Sequence, residues 1–169
     1  MPERQFAPWV APIARRDGDA RIALVAYARS VPDDAWDQPS SLDGWSCKDI
    51  LAHLAGDTGK WFAYILDTAL NGSALDGGRA GPGADIDAIN ARDVRERRDR
   101  SASDLIAEIE SDGAGHLGRL SRLTERHSDV RLEPYAYSLA DFLGGREAGN
   151  RGAHDREHLA HLRGALDTP

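Results

Sequence analysis

The stretch "SCKDILAHLAGDTGKWFAYILDTALNG", residues 46–72, decides the fold. Ser46 with Asp49 three residues on is a capping-box arrangement, with Asp in place of Glu, and marks a helix start. Apolar residues then recur at helical spacing until Asn71-Gly72, a helix stop. Taking about 100° of rotation per residue and His53 as zero, Ile50, Leu54, Trp61 and Ile65 project at about 60–120°. The pattern predicts one amphipathic helix from about 47 to 71. His53 stands at the border of its apolar stripe, with Asp57 near about 40° and Lys60 near about −20°. Cys47 projects onto the apolar side and reads as a buried structural thiol.

Three further helical patterns flank this one. The first runs from about Ile13 to Arg29, with apolar contacts from Ile22, Val25, Ala26 and Ala28, and Pro32 ends it. Another begins near Ser103 with Asp104 in its first turn. Leu105, Ile109, Leu117, Leu120 and Leu123 mark its face, although Asp112–Gly115, "DGAG", weakens its middle. Ser138 caps the last, which runs almost to the C-terminus and is strongest from Ala153 to Leu166. "GSALDGGRAGPGAD" after Asn71 reads as a flexible connection, too long for a tight helical hairpin and able to carry a crossover. "IDAINARDVRERRDR" reads as a short exposed helix with a solvated surface, and residues 124–137 as an irregular loop. Alternating β-branched runs are missing. The expected fold is all-α, a four-helix bundle in a single domain over 1–169.

Composition narrows the partners. Of the 169 residues 41% are hydrophobic and 29% charged, as in a soluble globular chain. A formal net charge of −7 argues against nucleic-acid or anionic-membrane binding, which needs clustered Lys and Arg. One cysteine rules out an internal disulfide and fits a reducing compartment. No leader-like N-terminus and no membrane-length apolar run stand out. A cytoplasmic protein acting on a small molecule is the expectation.

Chemistry concentrates in "GNRGAHDREHLAHLRGAL", residues 149–166, with three of the six histidines. With His154 at zero, His158 lies at about 40° and His161 at about −20°. Leu159, Leu162 and Leu166 cluster at about 80–140°, and Asn150 and Glu147 share the histidine face at about −40° and 20°. The face thus flanks the apolar stripe, as His53 does on its own helix. Where two such borders meet, a half-polar cleft forms. A helical H-x-x-x-H pair sets two imidazole nitrogens on one metal ion. His53 is the best third ligand, and three imidazoles leave coordination positions open for water or substrate. His161 could be a ligand, a group supporting a ligand or a proton carrier. His116 and His127 have no partner at ligand spacing and read as structural or solvated. Trp61 could wall a cleft near His53. Imidazoles alone suit Zn, Ni, Fe or Co over Mg or Ca, with Zn or Ni foremost.

"GWSCKDILAHL" followed about a hundred residues later by "HDREHLAHL" resembles the DinB-like superfamily of metal-binding four-helix bundles. That superfamily includes DinB/DfsB-type proteins and mycothiol-dependent maleylpyruvate isomerases. The resemblance implies an up-down-down-up bundle with a long connection between helices two and three, and a homodimer. Its metal triad maps onto His53, His154 and His158. Many relatives carry Gln three residues after the last ligand, where this chain has His161. The resemblance further implies a divalent-metal enzyme, a thiol S-transferase, isomerase or hydrolase acting on a small electrophile. Bacillithiol, mycothiol or glutathione would be the cosubstrate; no basic patch for an anionic thiol is evident, although Lys60 and Arg151 could contribute. Asp57 could orient His53 or act as a base, and His161 could shuttle protons. The alternative is a metal-independent small-molecule binder or resistance protein of the DfsB type.

Overall fold

The computed structural model describes residues 4–72, 85–132, 137–145 and 150–167, with the side chains of 57 and 58 excepted. The connection after Gly72 and the Glu147 position therefore lie outside the described residues. Regular structure is almost wholly helical: α1 (Ala11–Ser30), α2 (Cys47–Leu54), α3 (Asp57–Asn71), α4 (Ile86–Arg97), α5 (Ala102–Leu120), α6 (Leu139–Gly144) and α7 (Arg151–Leu166). Two strands of two residues, β1 (Arg131–Leu132) and β2 (Tyr137–Ser138), pair antiparallel inside the expected loop. The all-α class is as expected.

Local chemistry accounts for most boundaries. Ser46 accepts from the Asp49 amide and Asp49 reaches back to the Ser46 amide, closing the capping box that opens α2. Ser101, Ser138 and Asn150 cap α5, α6 and α7 in the same way, each accepting from the amide three residues on. Gly72, at φ 68°, supplies the left-handed residue that ends α3.

Four expectations are corrected. The helix over 47–71 is two helices, broken at Ala55-Gly56, because the α4 carboxylate of Asp93 is pressed against Gly56. A Cβ on Gly56 would stand 2.6 Å from Asp93 Oδ2, so only glycine admits this approach. The last helix is likewise interrupted: α6 ends at Gly144 and α7 starts at Arg151. The charged segment is not a wholly solvated helix, since α4 buries Asp93, Val94 and Arg97. In α1, Ile22 is 68% exposed and Ala26 is exposed, whereas Arg21 points inward with Leu24, Val25 and Ala28.

Two apolar clusters build the core. One joins Leu24, Val25 and Ala28 of α1 to Ile50, Leu51 and Leu54 of α2, Leu105 and Ile109 of α5, and Leu159 and Leu162 of α7. The other joins Ile13 and Ala14 to Phe62, Ile65 and Leu66 of α3, with Leu120, Leu123 and Phe142. Buried charge lies between them along the helices. Arg21 donates from Nε and Nη2 to both Asp155 oxygens, at 2.8 and 2.9 Å, and from Nη1 to the Ile109 carbonyl. His116 donates to Asp17 at 3.1 Å, and the Gly152 amide donates to the other Asp17 oxygen at 3.0 Å. Arg151 pairs with Asp112. Glycine makes room for this layer. A Cβ on Gly113 would meet Arg21 Cγ at 2.7 Å, so the "DGAG" segment accommodates the arginine stem inside an unbroken α5.

Removing one partner of the Arg21–Asp155 pair leaves a buried charge uncompensated, which costs about 3–5 kcal/mol. Asp155→Asn should therefore lower unfolding free energy in urea by that order. Arg29→Ala, which deletes an exposed pair with Glu110, should change it by less than about 1 kcal/mol. Equal effects for the two variants would contradict the assignment.

Candidate metal centre

His53 is in the last turn of α2, and His154 and His158 lie one turn apart on α7. Packing of α2 on α7 brings the three rings together. His154 Nε2 is 3.2 Å from His53 Nε2 and 3.2 Å from His158 Nε2. One ligand atom of each of the three lies within 4.8 Å of the others. Among the described residues this is the group whose geometry could hold a metal ion.

The donor set fits a transition metal. Two nitrogens 3.2 Å apart subtend about 100° at an ion about 2.0–2.1 Å from each, near tetrahedral and compatible with a fourth or fifth position. Each Nε2 carries either one proton or one lone pair. His154 Nε2 therefore cannot both accept from one neighbour and donate to the other while its Nδ1 is also protonated. The Nδ1 atoms of His53, His154 and His158 are buried without a hydrogen-bond partner. A cation among the Nε2 atoms would take all three lone pairs, with the proton of each ring on its Nδ1.

Electrostatics keeps these rings neutral. Burial lowers the pKa of His53, against a raising influence from Asp93. Burial, with help from His53, Arg21 and Arg151, lowers His154 to about 3. Burial, with His154, His53 and His161, lowers His158 to about 2. Neutral imidazoles are the form that ligates metal.

Other candidates fall elsewhere. His161 is outside the cluster: its ring centre is 6.0 Å from that of His158, and its Nδ1 bonds the Ser41 hydroxyl at 2.7 Å. Asp57 opens α3, but its side chain lies outside the described residues. Asn150 caps α7 through Ala153, so its side chain is occupied. Arg151 is 2% exposed, paired with Asp112 and set over the Phe62 ring, and thus is no surface patch for a cosubstrate. Lys60 is exposed on α3. Trp61 packs on Phe62 and Phe142 in the far apolar cluster, and it is Trp45 whose ring centre lies 5.3 Å from His53. Cys47 is fully buried and burial raises its pKa, as a structural thiol requires. His116 and His127 are structural, bonded to Asp17 and Thr124 respectively.

Sequence reasoning missed Asp155, Arg21 and Asp93. Asp155 had a signal: it projects at about 100° from His154, in the middle of the α7 leucine stripe. Arg21 and Asp93 had none beyond neighbouring apolar residues.

The neutral rings predict a pH dependence. Their folded pKa values lie below the ordinary value of about 6.5 that the unfolded chain has. Stability is thus full above about pH 6.5 and is lost as pH falls towards the folded values, because the unfolded chain binds protons that the folded one refuses. Urea unfolding of the metal-free protein should show stability declining between about pH 6.5 and 4.5. His158→Gln should flatten that slope by up to about 1.4 kcal/mol per pH unit. An unchanged slope would show that His158 is not buried neutral.

The family model for the mycothiol maleylpyruvate isomerase N-terminal domain matches residues 18–146. The match includes His53 and ends before α7, so His154 and His158 rest on the structure and sequence. Neither the curated proteins nor the solved structures give a match. The chain belongs to the mycothiol maleylpyruvate isomerase N-terminal domain family, within the DinB-like superfamily.

Proposed function

We propose that the chain is a divalent-metal-dependent enzyme that acts on a small electrophile, as a thiol S-transferase, isomerase or hydrolase. The convergence of three neutral imidazole nitrogens from α2 and α7 carries this reading. Zn or Ni is the ion that suits an all-nitrogen donor set. Bound there, it would act as a Lewis acid and lower the pKa of a thiol or water in its open positions.

The protein's own groups supply the rest. His53, His154 and His158 hold the ion and contribute no charge, so its full positive charge is available to the reacting ligand. The guanidinium groups of Arg21 and Arg151 act electrostatically on His154, which favours an anionic ligand such as a thiolate. The Trp45 ring beside His53 presents an apolar wall for an electrophile. We assign His161, whose side chain is 28% exposed and neighbours His158, to carrying protons between solvent and site. Asp57 is the second group assigned to proton handling. A low-molecular-weight thiol is the cosubstrate of this reading.

The same reading covers the arrangement of the chain. We take α1, the α2–α3 pair, α5 and α7 as the arms of an up-down-down-up four-helix bundle within one domain. Packing of α1 on α5 and α7, and of α3 on α5, supports it. A cytoplasmic homodimer completes the proposal. No described helix is long and apolar enough to cross a membrane.

Metal content of untagged protein is the first test. Wild type offered Zn or Ni should retain one ion per chain. His53→Ala, His154→Ala and His158→Ala should not, and His161→Ala should. Wild type that retains no metal would overturn the reading. Metal-loaded wild type should then consume bacillithiol, mycothiol or glutathione with an aryl-halide electrophile, and His158→Ala should not. Metal retention without thiol turnover would redirect the assignment to hydrolysis or to binding alone.

A further inference from the structure

Asp93 is a buried carboxylate, 1% exposed, on a helix whose composition otherwise suggests a solvated surface. Its position is set by close contact. The ideal Cβ position on Gly56 lies 2.6 Å from its Oδ2 and 2.9 Å from its Cγ, so the carboxylate rests directly on the Gly56 backbone. Gly56 is the third residue after His53, and its amide donates to the His53 carbonyl at 2.9 Å. The carboxylate therefore braces the turn that ends α2 immediately beyond the metal ligand. Arg92 contributes one contact to it at 3.3 Å, and Arg97 Nη1 reaches the Asp93 carbonyl at 3.5 Å.

Charge gives this placement a second consequence. Three neutral imidazoles bring no negative charge to a divalent ion held among them. Asp155 and Asp112 are engaged with Arg21 and Arg151, as Asp93 is with Arg92. On the α2 side the buried carboxylate of Asp93, in contact with Gly56 three residues beyond His53, brings negative charge to that end of the helix. An uncompensated buried cation is costly, and a carboxylate within a low-dielectric interior offsets it over several ångströms.

We propose that Asp93 is a positioning residue of the metal centre: braced on Gly56, its carboxylate fixes the His53 end of α2 and supplies the counter-charge for the bound ion. The inference rests on the metal-enzyme reading and extends it to a residue on α4.

Zn affinity of the full-length chain, measured by chelator competition for wild type, Asp93→Asn and Gly56→Ala, tests it. Asn keeps the shape of Asp and removes the charge, and turns one acceptor oxygen into a donor. Asp93→Asn should weaken Zn binding by about 10- to 100-fold, the range for groups that support a ligand, under conditions where urea unfolding shows the metal-free variant to be fully folded. With Co(II) in place of Zn, its visible spectrum should shift relative to wild type. Gly56→Ala keeps the charge but displaces the carboxylate, and should also weaken Zn binding. Wild-type affinity in Asp93→Asn overturns this inference alone. Should that variant not fold, wild-type affinity in Gly56→Ala overturns it. Wild type that binds no Zn overturns the metal-enzyme reading and this inference together.

Discussion

The buried ion pair between Arg21 and Asp155 is the contact on which the arrangement depends. It ties α1 to α7 in the layer that separates the two apolar clusters, and Arg21 also donates to an α5 carbonyl. Apolar side chains tolerate sliding of one helix past another; a bidentate guanidinium–carboxylate pair does not. A register shift of one turn along α7 would leave two buried charges unpaired, at a cost of several kcal/mol. Asp155 adjoins His154 in sequence. The pair that sets the register of α7 therefore also sets where His154 and His158 meet His53.

Around that pair lies a layer of further polar contacts. Asp17 accepts from His116, from Arg16 and from the Gly152 amide. Burial alone would raise its pKa, and the hydrogen bonds from His116 and Arg16 outweigh it and hold the carboxylate below its ordinary value. Gly152 lets α7 come close: a Cβ there would meet the Arg16 carbonyl at 2.9 Å. Such a layer adds little net stability compared with apolar packing. What it gives is a fixed register of α7 against α1, and with it the position of His154 and His158.

Much of this was legible in the residues. The caps at Ser46 and Ser138, the stop at Asn71-Gly72 and the apolar stripes of α2, α3 and α5 follow from periodicity and local hydrogen bonding. Helical rotation sets His53, His154, His158 and His161 at core borders, and the family resemblance singles out the first three. Other features depend on contacts between segments far apart in sequence. Gly56 breaks the long helix because a carboxylate from residue 93 occupies the space of its absent side chain. Arg21 is buried and its neighbour Ile22 exposed because Asp155, 134 positions away, needs a partner. Composition marks α4 as solvated, and what buries Asp93 is the turn it braces. His161, aligned with the ligands on a helical projection, is drawn instead to Ser41, a loop residue that no periodicity could place beside it.

X-ray absorption at the Zn edge of the metal-loaded full chain tests the central claim most directly. The account predicts a first shell dominated by nitrogen at about 2.0–2.1 Å, with the outer-shell scattering of three imidazole rings. A sulfur shell near about 2.3 Å, or a first shell without imidazole scattering, would contradict it.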